Sequence, residues 1–394
     1  DYQPSRGLGD VYKRQSVVFT ITAANEIQGS EANFTALLTD NDNNQINIVN
    51  HDLNVNSGTI SVDNANLLDA ATGGDVTGSI DTTETVDELK TLTGNHAYTI
   101  VIAAGDAETS TADDLNTING KTSVAINAAA ITDLASDNIT NIQTLLTAGN
   151  DTDQFTAASF GSLETAIVSD TTLDGSKLAD AIDQANTATD DTSVVFTITA
   201  VSEIQGSEEN FTALLTDNDN NQINIVNHAL NVNSGTISVD NANLLDAATG
   251  GDVTASIDTT ETVDELKTLT GNHAYTIVIA AGDAETSTAD DLNTINGKTS
   301  VAINAAAITD LASDNITNIQ TLLTAGNDTD QFTAASFGSL ETAIVSDTTL
   351  DGSKLADAID QANTATGDTS VVFTISAANE IQGSEANFTA LLTD

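Results

Sequence analysis

Two short acidic stretches carry oxygen-bearing side chains at alternate positions, as calcium-binding loops do. In the first stretch, Asp40, Asp42 and Asn44 could each offer an oxygen to one cation, because Ca²⁺ takes roughly six to eight oxygen ligands. An EF-hand is not expected, since Gln45 and His51 stand where that loop needs glycine and a final glutamate. The alternative is a polar turn between a helix and a strand.

The second stretch contains Asp151 and Asp153 and has a solvated loop as its alternative interpretation. Both stretches recur later in the chain. The candidate calcium ligands are therefore Asp40, Asp42, Asn44, Asp151, Asp153, Asp217, Asp219, Asn221, Asp328 and Asp330. Calcium is the one cofactor that the sequence suggests.

Catalytic motifs are missing from the sequence. It has no phosphate-binding Gly-x-x-x-x-Gly-Lys loop, no His-Glu-x-x-His pair and no Gly-x-Ser-x-Gly elbow. His51 and His96 are far apart in sequence and are expected to be surface or packing residues. The many carboxylates leave a polysaccharide hydrolase or lyase open as an alternative, but we expect no enzyme.

The charge balance restricts the partners. The chain has 58 Asp and Glu against nine Lys and Arg, for a formal charge of −49. Such a surface repels nucleic acid and anionic membranes and attracts cations, although solubility in salty water is an equally simple explanation. Cysteine is absent, which excludes disulfides and thiolate metal sites. No apolar run approaches the ~20 residues of a membrane helix, so direct membrane insertion is not expected.

A long internal repeat organises the chain. The segment SVVFTITAANEIQGSEANFTALLTD begins at Ser16 and recurs with three substitutions at Ser193 and with one at Ser370, a period of 177 residues. We therefore divide the chain into a non-native segment at residues 1–15, repeats at 16–192 and 193–369, and a truncated third repeat at 370–394. Both ends are expected to be edges of a fragment of a longer protein.

Within one repeat, β-rich runs alternate with short capped helices. The predicted strands are Val17–Ile21, Ile46–Val49, Thr59–Val62, Val76–Ile80, Tyr98–Ile102 and Val124–Asn127. Helix starts are predicted at Ser30, at Thr85 with Glu88, at Thr111 with Asp114, at Ser136 or Asp137, and at Ser176. These helices are too short to be stable alone and need a sheet to pack on.

The spacing of apolar anchors predicts the fold class. The anchors are 22 to 33 residues apart, close to the ~20–29 residues of a strand–helix solenoid coil; they are Phe34, Leu67, Leu89, Leu115, Ile139 and Leu163. We predict an α/β fold, an elongated solenoid of stacked short-strand and short-helix coils. An array of immunoglobulin-type β-sandwich domains is the alternative.

The stretches TADDLNTINGKTSVAINAAAITDLASDNITNIQTLL (residues 111–146) and TVDELKTLTG (residues 85–94) resemble repeats of giant type I secreted, RTX-associated surface adhesins of marine and cyanobacterial type. The resemblance implies a secreted or cell-surface location, calcium-rich surroundings and a stalk or adhesive role. The chain departs from the RTX pattern because it has no glycine-rich nonapeptide run. The calcium-binding roll of those proteins therefore cannot be transferred to any residue.

The sequence thus predicts a structural or adhesive repeat region of a large bacterial protein, located outside the cell or on its surface. The alternative is a calcium- or carbohydrate-binding matrix module. Expected partners are cell-surface or matrix polysaccharide or protein, together with other repeats of the same longer chain.

Overall fold

Short strands alternate with short helices in the computed structural model, which describes residues 17–22, 25–200, 203–283, 285–367, 369–378 and 380–393. The segment predicted to be non-native, residues 1–15, lies outside the described residues.

The first copy contains strands β1 to β8 and helices α1 to α6. The strands are Glu26–Ser30 (β1), Asp52–Ile60 (β2), Val76–Ile80 (β3), Ala97–Thr99 (β4), Asp133–Asp137 (β5), Thr165–Val168 (β6), Thr172–Asp174 (β7) and Val195–Ile198 (β8), the last one past the repeat boundary. The helices are Glu31–Asp42 (α1), Val62–Ala71 (α2), Val86–Leu89 (α3), Ala112–Asn119 (α4), Ile139–Gly149 (α5) and Gly175–Thr189 (α6).

The rest of the chain repeats this order. Its strands are Glu203–Ser207 (β9), Ala229–Ser234 (β10), Val253–Ser256 (β11), Ala274–Thr276 (β12), Asp310–Asp314 (β13), Thr342–Val345 (β14), Thr349–Asp351 (β15), Val372–Ile375 (β16) and Glu380–Gln382 (β17). Its helices are Glu208–Asp219 (α7), Val239–Ala248 (α8), Val263–Leu266 (α9), Ala289–Asn296 (α10), Ile316–Gly326 (α11), Gly352–Thr366 (α12) and Glu385–Leu391 (α13). None of the described helices is long and apolar enough to span a bilayer.

The chain contains two compact parts, which we call lobe 1 (Asp1–Ser169 with Asp180–Thr197) and lobe 2 (Asp170–Ala179 with Ile198–Asp394). In lobe 1 the sheets have the strand orders β1-β2-β3-β4 and β5-β6-β8. In lobe 2 the orders are β12-β11-β10-β9-β7, β13-β14-β16 and β15-β17.

The registered pairings between described strands are parallel. A parallel connection needs a crossover, and in most cases here the crossover includes a helix. The predicted α/β class is therefore confirmed. The alternative of β-sandwich domains is wrong, because immunoglobulin-type sandwiches are built from antiparallel sheets.

One face of each strand supplies the core. In β3, Val76, Gly78 and Ile80 are buried while Thr77 and Ser79 are partly exposed, the alternation of a half-buried strand. Helix α2 packs on β2 and β3 and inserts Leu68, which is fully buried. Leu67, predicted to be the anchor of this helix, is instead 55% exposed. Two adjacent leucines cannot point to the same helical face.

Side-chain caps fix most helix starts. The capping boxes predicted at Thr85 and Thr111 are confirmed, and Ser30 caps α1. Helix α5 is capped by Asn138 and not by Ser136 or Asp137, as was predicted. Helix α6 already includes Ser176, whose backbone N–H donates to Asp174 Oδ1 at 3.0 Å.

Predicted strands agree less well with the structure. Val76–Ile80 is confirmed as β3, but β2 covers Asp52–Ile60, and Val62, predicted to end a strand, begins α2. The run Tyr98–Ile102 forms only the three-residue strand β4 and a bridge at Val101. The runs Val17–Ile21, Ile46–Val49 and Val124–Asn127 contribute isolated parallel bridges.

Carboxylates from one strand–helix pair also reach the helix of its neighbour in sequence. The N–H of Val62, first residue of α2, donates to Glu84 at 3.0 Å, and the N–H of Asp113 in α4 donates to Asp137 at 2.7 Å. A negative group at a helix N-terminus compensates the helix dipole and satisfies an otherwise unpaired N–H. We call these side chains capping carboxylates; in lobe 1 they are Glu31, Glu84, Asp106 and Asp137.

Candidate functional site

The first predicted calcium loop lies where α1 ends. Asp40 and Asp42 belong to the last turn of the helix, and Asn44 follows with a φ of 54°, in the left-handed region that asparagine tolerates. Backbone groups close the loop, because Gln45 N–H donates to the carbonyl oxygen of Asp40 at 2.9 Å. Asn41, which was not predicted, accepts the N–H of Ile48 at 3.3 Å. The turn therefore holds its shape without using either acidic side chain.

The two copies of this loop differ in burial. Asp40, Asp42 and Asn44 are exposed, and their side chains make no hydrogen bond within the described part of the chain. In the second copy Asp219 and Asn221 are also exposed. Asp217, however, is only 8% exposed and interacts with other residues. Identical sequence thus offers different oxygen atoms to solvent in the two copies.

The second predicted loop is an aspartate turn after α5. Asp151 Oδ1 accepts the N–H of Asp153 at 3.0 Å, and Asp151 Oδ2 accepts from Gln154 Nε2 at 2.9 Å. These bonds, first that of Gln154, lower the pKa of Asp151 below its ordinary value. Asp153 itself is exposed. The carboxylate of Asp151 therefore has a structural task in the turn, and spare lone pairs remain on both of its oxygens.

The turn is reproduced in the second copy. Asp328 accepts the N–H of Asp330 at 3.0 Å and the side-chain amide of Gln331 at 2.8 Å. Among the described residues, no group of three or more His, Cys, Asp or Glu side chains is placed to hold a metal ion. A cation in any of these loops would need amide or carbonyl oxygens or water as further ligands.

In each copy, one histidine connects three segments of its own lobe. His96 Nε2 lies 2.6 Å from Asp69 Oδ1, and the N–H of Val76 donates to His96 Nδ1 at 3.2 Å. Because Nδ1 accepts a hydrogen bond, the ring proton is on Nε2 and is donated to Asp69. The ring also packs edge-on against Tyr98, with centroids 5.6 Å apart. Both nitrogens are occupied, so this Asp–His pair supports structure and has no free atom for proton transfer.

A glycine makes room for this histidine. Gly94 has a φ of 71°, and a Cβ added there would lie 2.5 Å from His96 Nε2. The second copy has the same arrangement, with His273 beside Asp246 and above Gly271. The sequence predicted a surface or packing role for His96, and the structure shows packing. Gly94, two residues earlier, is a sequence feature that could have indicated this arrangement.

A polar cleft of about 470 Å³ lies in lobe 2 where β7, β9 and β10 run side by side. It is lined by Thr172, Leu173, Asp174, Gln205, Gly206, Ser207, Asn210, Asn233 and Ser234. Thr172 and Asp174 come from the first repeat copy, whereas the other polar residues come from the second. Sequence reasoning missed this cleft, because its two walls are separated by 31 residues or more and belong to different copies.

No protein-family model matches the sequence. A search of curated proteins likewise finds no match. Inference about function therefore depends on the geometry of the chain itself.

Proposed function

We propose that this chain is a structural or adhesive repeat region of a large secreted or cell-surface bacterial protein, and that it does not catalyse a reaction. In this proposal the strand–helix pairs stack as coils of an α/β solenoid. Each copy lengthens the array and presents the same surface again, so reach and multivalency increase with copy number.

The capping carboxylates are the observation that carries this proposal. Glu84 accepts the N–H of Val62 at 3.0 Å, and Glu261 accepts that of Val239 at 3.1 Å in the second copy. Each such bond joins residues 20 to 30 positions apart, the sequence distance between neighbouring strand–helix pairs. Some of the many acidic side chains therefore link neighbouring strand–helix pairs, which supports the proposal of an array that is stable by itself.

Amide side chains support the same interpretation. Asn66 Oδ1 accepts the N–H of Thr93 at 2.8 Å, and Asn66 Nδ2 donates to the carbonyl of Thr91 at 3.1 Å. Asn116 Nδ2 likewise donates to the carbonyl of Asn141 at 3.0 Å. Stability in such an array is approximately a sum of nearest-neighbour terms, so additional copies are tolerated without new contacts.

Mechanical unfolding of the full chain tests this proposal. A stacked array should yield in small steps of about 20–30 residues, each releasing ~70–100 Å of chain. Optical tweezers with handles at the two termini would resolve such steps. Two large all-or-none events would contradict the stacked array and would favour two independently folding globular domains.

Calcium binding at the acidic loops is the second candidate function. It is favoured by the exposed side-chain oxygens of Asp42, Asn44 and Asp153, which make no hydrogen bond within the described residues. We expect a variant with Asp40→Asn, Asp42→Asn, Asp217→Asn and Asp219→Asn to take up less calcium in calorimetric titration, because the loops at Asp151 and Asp328 remain. An unchanged titration would remove these loops as calcium sites.

A further inference from the structure

The geometry points to the polar cleft of lobe 2 as a binding site for a neutral polysaccharide, held through the hydroxyl groups of its sugars. This inference rests on the adhesive form of the proposed function and identifies the surface and the ligand class. It also gives the tandem duplication a purpose, because the cleft combines residues from two consecutive copies.

Strand register brings the two walls together. In the parallel sheet of lobe 2, Asp174 of β7 pairs with Gln205 of β9, and Ser207 of β9 pairs with Ser234 of β10. The register shifts between Val232 and Ser234, so Asn233 is the extra residue of a β-bulge. Bulges redirect a side chain and are common beside binding sites. Here the bulge brings Asn233 to the cleft between its own strand and β9.

Hydrogen bonds within the cleft fix some atoms and leave others available. Asn233 Nδ2 donates to Gln205 Oε1 at 3.1 Å, and Gln205 Nε2 donates to Glu203. Asp174 Oδ1 accepts the N–H and hydroxyl of Ser176 at 3.0 and 2.7 Å. Within the described residues, no hydrogen bond is made by Asp174 Oδ2, Asn233 Oδ1 or the hydroxyls of Thr172 and Ser234.

These available atoms select the ligand class. Asp174 Oδ2 and Asn233 Oδ1 only accept hydrogen bonds, so the ligand must donate, as sugar hydroxyls do. The hydroxyls of Thr172 and Ser234 can donate or accept and can match the ring and hydroxyl oxygens of a sugar. The volume of about 470 Å³ falls in the usual range for small-ligand sites, about 300–1,000 Å³.

Other ligand classes fit less well. An anion would be repelled by Asp174, which stays ionised: burial raises its pKa, but hydrogen bonds from Ser176 and Lys177 lower it overall. A calcium ion usually takes several carboxylates, and Asp174 is the one carboxylate that lines the cleft. A protein partner would need an apolar centre, but Leu173, the one large apolar lining residue, is buried.

The repeat supplies two matched control positions. Asn56 donates to Gln28 at 3.0 Å as Asn233 does to Gln205, but the described residues provide no counterpart of β7 beside Gln28. Asp351 caps its helix as Asp174 does, with bonds to Ser353 at 2.9 and 2.7 Å. Among the described residues, the sheet of β15 and β17 has no further strand that would provide a counterpart of Asn233. Each control variant loses the same local hydrogen bond or charge but leaves the polar cleft of lobe 2 unchanged.

The test is an array of immobilised polysaccharides probed with the full chain. It contains neutral dextran, β-1,3-glucan, xylan and galactomannan, with alginate as the acidic member, and is run in EDTA and again with calcium. We expect binding to at least one neutral polymer in EDTA. Asn233→Ala and Asp174→Asn should each weaken it about tenfold, as expected for losing a hydrogen bond in a binding site. Asn56→Ala and Asp351→Asn should change it less than about twofold.

Several outcomes would overturn the inference. These are binding to no neutral polymer, binding only to alginate, binding only when calcium is present, or equal losses in the test and control variants. Asp174→Asn keeps a good helix-capping residue, so its effect reports the lost acceptor and not an unfolded helix. If no sugar binds but force unfolding still proceeds in small steps, the spacer function stands and this cleft is not its adhesive surface.

Discussion

Glu84 accepts a 3.0 Å hydrogen bond from the backbone N–H of Val62, although the two residues are 22 positions apart. Val62 is the first residue of α2, and Glu84 lies just before α3. A helix start is thus stabilised by the strand–helix pair that follows it. Asp106 and Asp137 make equivalent bonds, whereas Glu31 of α1 accepts the N–H of Ser61, the N-cap of the helix that follows. From the sequence alone, such an acidic side chain would be interpreted as a solvated charge. In the structure it links two neighbouring strand–helix pairs.

Removing this capping carboxylate should destabilise the protein. We expect Glu84→Ala with Glu261→Ala to cost about 0.5–2 kcal/mol per site, the usual value of a helix cap. Glu84→Gln with Glu261→Gln should cost less, because the amide oxygen can still accept the N–H of Val62. Urea unfolding followed by circular dichroism measures the difference.

The control for this pair is Glu108→Ala with Glu285→Ala, which removes equal charge from exposed positions. It should leave the urea midpoint unchanged or slightly higher, since it reduces self-repulsion. If the control and the Glu84 variants lost the same stability, the capping carboxylates would have no special role.

The core of α2 gives a second prediction. Leu68 is fully buried, so Leu68→Ala should cost about 2–5 kcal/mol through lost burial and a cavity. Leu67, which is 55% exposed, should lose less than about 1 kcal/mol on the same change. Urea unfolding of both variants would decide which leucine is the anchor, and a reversed order would contradict the helix orientation described above.

The buried Tyr98 hydroxyl gives a third prediction. Its oxygen makes no hydrogen bond within the described residues, and the residue is fully buried. Burying an unpaired hydroxyl is unfavourable, so Tyr98→Phe with Tyr275→Phe should keep or raise the melting temperature. A loss of more than about 1 kcal/mol per site would mean that the hydroxyl has a hydrogen-bond partner, such as an internal water.

Stability should pass through a maximum in mildly acidic solution. Burial, and then the nearby Glu88, raises the pKa of Glu84 above its ordinary value of 4.5. Protonation of Glu84 therefore favours folding, and stability rises as the pH falls through its folded-state pKa. Hydrogen bonds, first that from Asn64, lower the pKa of Glu31. Its contribution is present above about pH 4.5 and is lost as the pH falls through its folded-state pKa.

Melting temperatures between pH 3 and 8 at constant salt test this pH dependence. We expect a maximum near pH 5 and a steep loss below about pH 4. Glu84→Gln with Glu261→Gln should remove part of the rise in melting temperature on acidification from neutral pH. A melting temperature that falls steadily from pH 7 downward would contradict the raised pKa of Glu84.

Local signals in the sequence predicted local structure well. The Thr85–Glu88 and Thr111–Asp114 capping boxes depend on residues three positions apart, and both form as predicted. The strands Glu26–Ser30 and Asp133–Asp137 were missed because their sequences, EIQGS and DLASD, are mostly polar. They are strands because parallel neighbours supply their hydrogen bonds, which is information that no short window contains.

The candidate site shows the same limit. The acidic turns could be found by spacing, but not the fact that Asp151 uses its carboxylate to close its own turn. Asp174 and Asn233 are ordinary residues in their own segments. Only the register of β7, β9 and β10 makes them neighbours in one cleft.

The most direct test of the central claim is a circular dichroism thermal melt of the full chain, in EDTA and again in millimolar calcium. The central claim is that stacked apolar faces and bonds between neighbouring strand–helix pairs hold the protein together. It predicts mixed helix and strand with a cooperative melt in both conditions, and a melting temperature that calcium changes by only a few degrees. A chain that is disordered in EDTA and folds only in calcium would contradict the claim and make the acidic loops the source of its stability.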